Sequence, residues 1–514
     1  MRARKTSTWT PKSACVAFTG SPSRGPGASR PKVSRLALRS RACSLPVCFP
    51  ETPERAVLTC PISPLRPYTA ATSGPLPALP SGPTPRRKDW SPTVKPTRDV
   101  YVVGAYNTDF IGKFHPDFIW KKHPDFGKKE NPSLEDYVRT AALGALEDAG
   151  VAPAQIQKGF VGNFVGELFN NQGHLGSVLA GAHPDLANKA FSRVEGACAS
   201  GALALVNGID AISAGYDYVL VVGAEMQTTV NAKEGADYLA RASHYKTQRD
   251  IDPFTFPALF ARRAKAYMEA FDFSHADLAK VVVNAYANGN KNPKAHMKTV
   301  SMPLEKAAEA SDKNPAFLSN EELKPWLKVS DCSQVSDGGS AVVLVSAEGL
   351  KKLGKDPKDA VQIVSYGHAT GAIEGPSDLT EMDVTAAAAK EAYADAGVSA
   401  GDVQVAEVHD CFAIAQVLAM EALGFAEKGK AKEQLIEQNA FAIEGKIPVN
   451  TGGGLMSFGH PVGATGVKQA GEIYRQMLGR CGDYQVPGEP TLGLAQNMGG
   501  DDRTAVVTIF RRGS

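Results

Sequence analysis

Four short segments of this chain carry side chains that can do covalent or proton-transfer chemistry. The first is Glu195-Gly-Ala-Cys198-Ala-Ser-Gly201, a single cysteine among very small residues. A helix is predicted to start at about Ser200, and the unpaired N–H groups of a helix N-terminus favour a thiolate. The second, Asn450 to Gly466, holds one imidazole, His460, among glycines 452, 453, 454, 459, 463 and 466. So glycine-rich a stretch is predicted to be a loop shaped for close approach, and its imidazole can act as base or as hydrogen-bond donor. The third, His409-Asp-Cys411-Phe412, follows a predicted strand from Val403 to Val408. Sites in α/β sheets gather at the carboxyl ends of strands, and Cys411 offers a second thiol there. The fourth, Gln496-Asn-Met-Gly499-Gly500-Asp-Asp, reads as a turn whose backbone N–H groups can stabilise an oxyanion. Taken singly, each also has a plain structural reading: an inert buried thiol, an incidental loop histidine, a core cysteine, an ordinary turn.

The apolar pattern shows what must hold these segments. Val100-Tyr-Val-Val-Gly104, Tyr218-Val-Leu-Val-Val222 and Thr504 to Phe510 are mainly apolar runs, as expected of buried strands. Leu134 to Gly150 has helical spacing and stops at glycine. Strands and helices alternate, which predicts an α/β fold with covered sheets. There is also an internal repeat. Asp148-Ala-Gly150-Val151 recurs as Asp395-Ala-Gly397-Val398, and both Gly196 to Gly201 and Gly459 to Ala464 precede a small-residue helix. A tandem duplication accounts for both matches, with an N-terminal half at 99–357 and a C-terminal half at 358–514. Residues 225–330 interrupt the first half with polar, helical sequence carrying Arg241, Lys246, Arg249, Arg262, Arg263 and Lys265. An insertion of this kind is expected to cap a site.

Composition excludes several classes. The 514 residues carry a net charge of +2, but residues 1–98 hold 17 Lys and Arg against three acids, together with 17 of the 34 prolines. The remainder is therefore acidic overall, which argues against a nucleic-acid surface. No apolar run reaches the length of a membrane-spanning helix. Cysteines 198, 332, 411 and 481 are too widely spaced for a disulfide framework or a zinc motif. The leader, 1–98, is rich in Arg, Ser and Pro, the composition of an organelle transit peptide or of a disordered tail. Arg35 to Arg41 can form a short basic helix, and Arg66-Pro-Tyr68-Thr-Ala is similar to a mitochondrial processing site. The expected location is the mitochondrial matrix, with peroxisome and cytoplasm as alternatives.

The four segments, in this order, resemble the thiolase superfamily over 99–514. Gly-Ala-Cys198-Ala-Ser-Gly is similar to the thiolase nucleophile loop, and Gly459-His460-Pro-Val-Gly-Ala to its Gly-His-Pro motif. His409-Asp-Cys-Phe and Phe256-Pro-Ala-Leu-Phe-Ala-Arg-Arg-Ala-Lys-Ala-Tyr-Met268 resemble the sterol-carrier-protein-2 branch. One departure agrees with that branch. Other thiolases carry a second catalytic cysteine in a Cys-x-Gly loop, where this chain has Asn497-Met-Gly499.

The resemblance implies a thiolase fold of two duplicated layered halves (αβαβα) with a helical loop domain at 225–330. It implies reversible thiolytic cleavage or Claisen condensation of 3-ketoacyl-CoA through an acyl-Cys198 intermediate. His460 is the implied base toward Cys198, and Cys411 replaces the missing second thiol. The N–H groups of Cys198 and Gly499 form one implied oxyanion hole, and His409, through a water, and His460 form another. Acyl-CoA, acetyl-CoA and CoA are the implied partners, with no bound cofactor and no metal. Arg262 and Arg263 are candidate CoA contacts, and the assembly is a homodimer or homotetramer. A decarboxylative condensing enzyme with one Cys and two His, and a thiolase-like lipid or acyl-CoA binder without turnover, are the alternatives.

Overall fold

The structure, a computed structural model, describes residues 95–513. The expected basic helix and processing point of the leader lie outside these residues. Nine strands are present among them: β1 Val100–Asn107, β2 Lys158–Gly162, β3 Ala190–Val194, β4 Tyr218–Glu225, β5 Gly338–Ser346, β6 Val361–Thr370, β7 Val405–Glu407, β8 Leu492–Gly499 and β9 Thr504–Arg512. They form one sheet in the order β3-β2-β4-β5-β1-β6-β9-β8-β7.

That order carries the internal repeat. Outward from the β1–β6 seam, one arm runs β1-β5-β4-β2-β3 and the other β6-β9-β8-β7. Where the first arm adds β3 in parallel, the second has only the parallel bridge of Val449 to Ala406. The seam itself is short, Val100–Val102 against Val361–Ile363. Both seam strands then shift register, at Val102/Gly104 and at Ile363/Ser365, and such bulges bend a strand.

The longer helices are α1 Leu134–Ala149, α2 Ser200–Ser213, α3 Thr255–Ala270, α4 His275–Gly289, α5 Asp383–Ala396, α6 Ala413–Ala422 and α7 Thr465–Met477, of which α1, α2, α5 and α7 cover the arms. The alternation of each strand decides which helix it meets. On one face Val219, Val221, Val342 and Leu344 of the first arm, with Ala495, Val506 and Phe510 of the second, enclose Leu205 and Ile209 of α2 and Ile473 and Tyr474 of α7. On the other face of the first arm, Leu220, Val222 and Val343 pack on Val138, Ala142 and Ala145 of α1. On the other face of the second, Leu494, Val507 and Ile509 pack with Ala388 and Ala392 of α5. The layers are therefore helix, sheet, helix pair, sheet, helix.

Local chemistry sets the helix limits. Ser133 and Asp136 form a reciprocal capping box at the start of α1. Gly150 and Gly397 end α1 and α5 with φ of 64° and 67°, a left-handed conformation that glycine adopts without a Cβ penalty. The repeated Asp-Ala-Gly-Val is thus a helix stop used twice. The insertion lies between β4 and β5 and contains α3 and α4. Two boundaries differ from expectation. The strand expected over Val403–Val408 is limited to Val405–Glu407, and Gln496–Gly499 is the end of β8 rather than a turn, since Met498 and Gly499 still pair with Ala505 and Thr504.

Candidate active site

The starts of α2 and α7 bring the first two segments together. A Cβ on Gly201 would lie 2.7 Å from the Gly463 oxygen, and one on Gly466 would lie 2.2 Å from the Ala202 nitrogen. Only glycine permits this backbone contact, so the small residues of both motifs have one cause. Cys198 lies in the turn Ala197–Ala199 just before α2. Ala197 has φ 52°, a left-handed conformation that costs a non-glycine residue about 1–2 kcal/mol. It is held there by bonds on either side: Ala197 N–H donates to Glu195 Oε1 at 2.6 Å, and Ser200 Oγ donates to the Ala197 carbonyl at 2.6 Å.

The Cys198 thiol is pushed up to about 12, first by burial, although the N–H of Gly500 donates to it and works in the opposite direction. Gly499, the expected oxyanion donor, is the residue before it. Gly499 sits opposite Thr504 in the β8 ladder, and the N–H turned toward the sulfur is that of Gly500.

His460 is buried, and burial pushes it down to about 3. Its Nδ1 lies 2.7 Å from Thr465 Oγ1, whose hydroxyl faces the Pro461 carbonyl at 3.2 Å. A hydroxyl that donates to a carbonyl accepts from the ring, so Nδ1 carries the hydrogen and Nε2 keeps a lone pair. The His460 backbone N–H donates to Ser336 Oγ at 3.2 Å, and that hydroxyl lies 2.9 Å from His296 Nδ1.

His409 has the opposite polarity. Asn497 Nδ2 donates to its Nδ1 at 2.8 Å, which places the ring hydrogen on Nε2. That Nε2 is buried and has no protein partner. Burial and the neighbouring His460 hold the His409 ring well below the usual histidine range. The sulfur of Cys198 and one ring nitrogen from each histidine all lie within 4.8 Å of one another. Asn497 thus does at close range what the departure from the Cys-x-Gly loop left open: it orients His409.

Cys411 is buried, and burial together with Cys198 pushes its thiol well up. Its loop is tied to the insertion. Ser333 N–H donates to the Cys411 carbonyl at 2.9 Å, and Phe412 stacks on Phe260 of α3 at 4.5 Å. Asp410 accepts from Leu455 N–H at 2.6 Å and so joins this loop to the glycine-rich one.

The sequence reading missed Glu225. It is fully buried at the end of β4 and accepts from Phe164 N–H at 2.9 Å, Val165 N–H at 3.1 Å, Asn163 Nδ2 at 2.9 Å and Gly463 N–H at 3.0 Å. One carboxylate therefore joins the first half to the His460 loop. Burial raises it to about 7. The signal was a carboxylate ending an otherwise apolar strand.

Cys198, Cys411, His460 and Gly500 line one part of a cavity of about 290 Å³, whose other walls include Phe164, Leu239, Phe254, Phe256, Phe317 and Phe412. The insertion supplies Leu239, Phe254, Phe256 and Phe317, so it does close over the site. The arrangement can form a thiolate, transfer its proton to an imidazole, and hold an oxyanion on backbone and ring N–H groups.

The two candidate CoA cations fare differently. Arg263 is fully buried: its Nε donates to the Asp501 carboxylate and its Nη1 to the Glu381 carbonyl at 2.8 Å. It is a structural residue and not a CoA contact. Arg262 stays partly exposed, 3.9 Å from Asp501. Arg241 and Arg249 are exposed, and both stack on Tyr245, at 4.4 and 5.1 Å.

Comparison with known proteins agrees with this geometry. Family models described as "Thiolase, N-terminal domain" and "Thiolase C-terminal domain-like" match residues 125–348 and 365–512. The "Acetyl-CoA acetyltransferase" of Methanothermobacter thermautotrophicus is 36% identical over 81% of this chain and 100% of that protein. The "Non-specific lipid-transfer protein-like 2" of Caenorhabditis elegans is 30% identical over 74% of this chain and 90% of its own length. Among solved structures, the "Ltp2-ChsH2(DUF35) aldolase" has a TM-score of 0.64 at 22% identity, covering 80% of this chain and 97% of that one. The human mitochondrial 3-ketoacyl-CoA thiolase with CoA has a TM-score of 0.59 at 17% identity, covering 82% and 100%.

Proposed function

We propose that this chain, which belongs to the thiolase family, is an acyl-CoA:acetyl-CoA C-acyltransferase that uses Cys198 as its nucleophile. The observation that carries the reading is the convergence of Cys198, His409 and His460 within 4.8 Å beside an apolar cavity. His460 Nε2 takes the thiol proton, and the sulfur attacks the acyl-CoA carbonyl. The oxyanion is held by the N–H groups of Cys198 and Gly500. Collapse expels CoA thiolate, which takes the proton of the Cys411 thiol and leaves an acyl-cysteine, while His460 keeps the Cys198 proton on Nε2. In the condensing direction the Cys411 thiolate formed in that step removes the α-proton of acetyl-CoA. The enolate oxygen is held by His409 Nε2–H and the protonated His460 Nε2–H, the enolate carbon attacks the acyl-cysteine, and the Cys198 thiolate that leaves takes its proton back from His460. Thiolysis is the same path reversed. The substrates are CoA thioesters, and no metal or bound cofactor is needed.

CoA phosphates are assigned to the exposed cations of the insertion, with Arg241 and Arg249 beside Arg262. The exposed, short edge strand β3 supports a homodimer built by edge pairing, and light scattering after gel filtration tests it. The composition of residues 1–98 supports a mitochondrial address, and the mature N-terminus of protein recovered from cells tests that.

The decisive experiment is mass spectrometry after incubation with acetyl-CoA. The native protein gains an acetyl group, and Cys198→Ala does not. An equal adduct in the variant overturns the assignment. Thiolysis of 3-ketoacyl-CoA from short to long chain then sets the acyl range.

A further inference from the structure

We propose that the resting active site takes up an inhibitory Zn2+, with Cys198 Sγ, His409 Nε2 and His460 Nε2 as ligands. The donor set is one thiolate and two imidazoles, a combination that suits zinc, and three protein ligands with a fourth position open. Cys198 Sγ and one ring nitrogen of each histidine lie within 4.8 Å of one another. A tetrahedral zinc needs such atoms about 3.5 Å apart, so closing by at most about 1.3 Å seats the ion.

The surroundings are those of a metal site. Each imidazole has its Nδ1 engaged, His460 on Thr465 Oγ1 and His409 on Asn497, and each therefore turns Nε2 inward. Outer contacts of this kind fix ring orientation in metal centres. His409 Nε2 is a buried nitrogen without a protein partner, and a cation would satisfy it once Asn497 presents its oxygen to Nδ1–H. Glu225 and Asp410 act electrostatically on the two thiols, so the local field favours a positive ion. Water can fill the fourth position.

Binding releases the thiol proton to solvent and involves no oxidation. The metal then occupies the sulfur lone pair that must attack and the His460 lone pair that must accept a proton. Inhibition, unlike binding, rests on the reading of Cys198 as nucleophile.

The test uses the full-length protein, stripped with chelator and titrated with Co2+. One equivalent is expected to give the d–d absorption of four-coordinate cobalt with a thiolate charge-transfer band. Both should vanish in Cys198→Ser, which keeps every other cysteine, including 15, 43, 48 and 60 of the leader. His409→Gln should weaken binding by more than the roughly 10–100-fold that loss of an outer contact costs. Zn2+ should displace the cobalt, protect Cys198 of the native protein from iodoacetamide, and stop thiolysis until EDTA is added. A cobalt spectrum unchanged in Cys198→Ser, or no protection of the native thiol by Zn2+, overturns the site. Active enzyme with no Cys198-dependent spectrum sinks the metal site alone. A Cys198-dependent spectrum in a protein without thiolysis sinks the acyltransferase reading alone.

Discussion

The rings of His409 and His460 meet edge to face, their centroids 5.0 Å apart at an interplanar angle of 86°. Each is held by a different neighbour and in a different tautomer, so one offers a hydrogen at Nε2 and the other a lone pair. That division separates two jobs. His460 serves the thiol in both half-reactions and joins at the enolate, whereas His409 serves the enolate alone. His409→Ala is therefore expected to keep acyl-enzyme formation near its native rate and to slow condensation by about 100–1,000-fold, the usual cost of one oxyanion donor. Single-turnover acylation and steady-state condensation, measured side by side, check this. Equal losses in both would refute the division.

Thr465→Val tests the tautomer of His460. The Nδ1 hydrogen would lose its acceptor in a buried place, a cost of about 1–3 kcal/mol, or about 5–150-fold in the acylation step. Thr465→Ser retains the hydroxyl and is expected to recover most of the rate. Failure of serine to rescue would show that the methyl group, and packing, matter instead.

How far the sequence anticipates this site follows from the range of each interaction. Cys198, His460, His409 and Cys411 stand in segments whose composition marks them, and the structure gathers them because the segments end strands or open helices of one repeated unit. Arg263 misled because charge in a polar insertion looks solvent-facing. Its burial depends on Asp501 and Glu381, both remote in sequence. Gly500 and Glu225 were missed for the same reason. Which N–H faces the sulfur depends on where β8 leaves its ladder, and the role of Glu225 exists only once Gly463 is brought against it. The strand order of the second arm could be expected from the repeat, but not that Val449 replaces a whole strand by a single bridge.

Burial sets the protonation of the resting pair. With Cys198 pushed up to about 12 and His460 pushed down to about 3, the two are thiol and neutral imidazole rather than an ion pair. A raised thiol value means that the thiolate fraction keeps growing tenfold per pH unit across the neutral range. Alkylation of Cys198 by iodoacetamide should accordingly climb with pH up to about 9 without levelling. A plateau between about pH 5 and 8 would mark a preformed thiolate–imidazolium pair and refute this assignment.

Arg263 and Arg241 are expected to separate stability from CoA binding. Arg263→Ala leaves Asp501 buried without its main partner, and breaking a buried pair costs about 3–5 kcal/mol. Its midpoint in urea should fall, while KM for CoA in the folded fraction stays native. Arg241→Ala removes an exposed cation whose ion pair with Asp237 and stacking on Tyr245 lie at the surface, so stability should change by less than about 1 kcal/mol. If its guanidinium meets a CoA phosphate, KM for CoA should rise about fivefold or more with kcat unchanged, because such a contact is the same in ground and transition states. Urea melts and CoA titrations of the two variants check both halves. A raised KM in Arg263→Ala with native stability would restore that residue as a ligand contact.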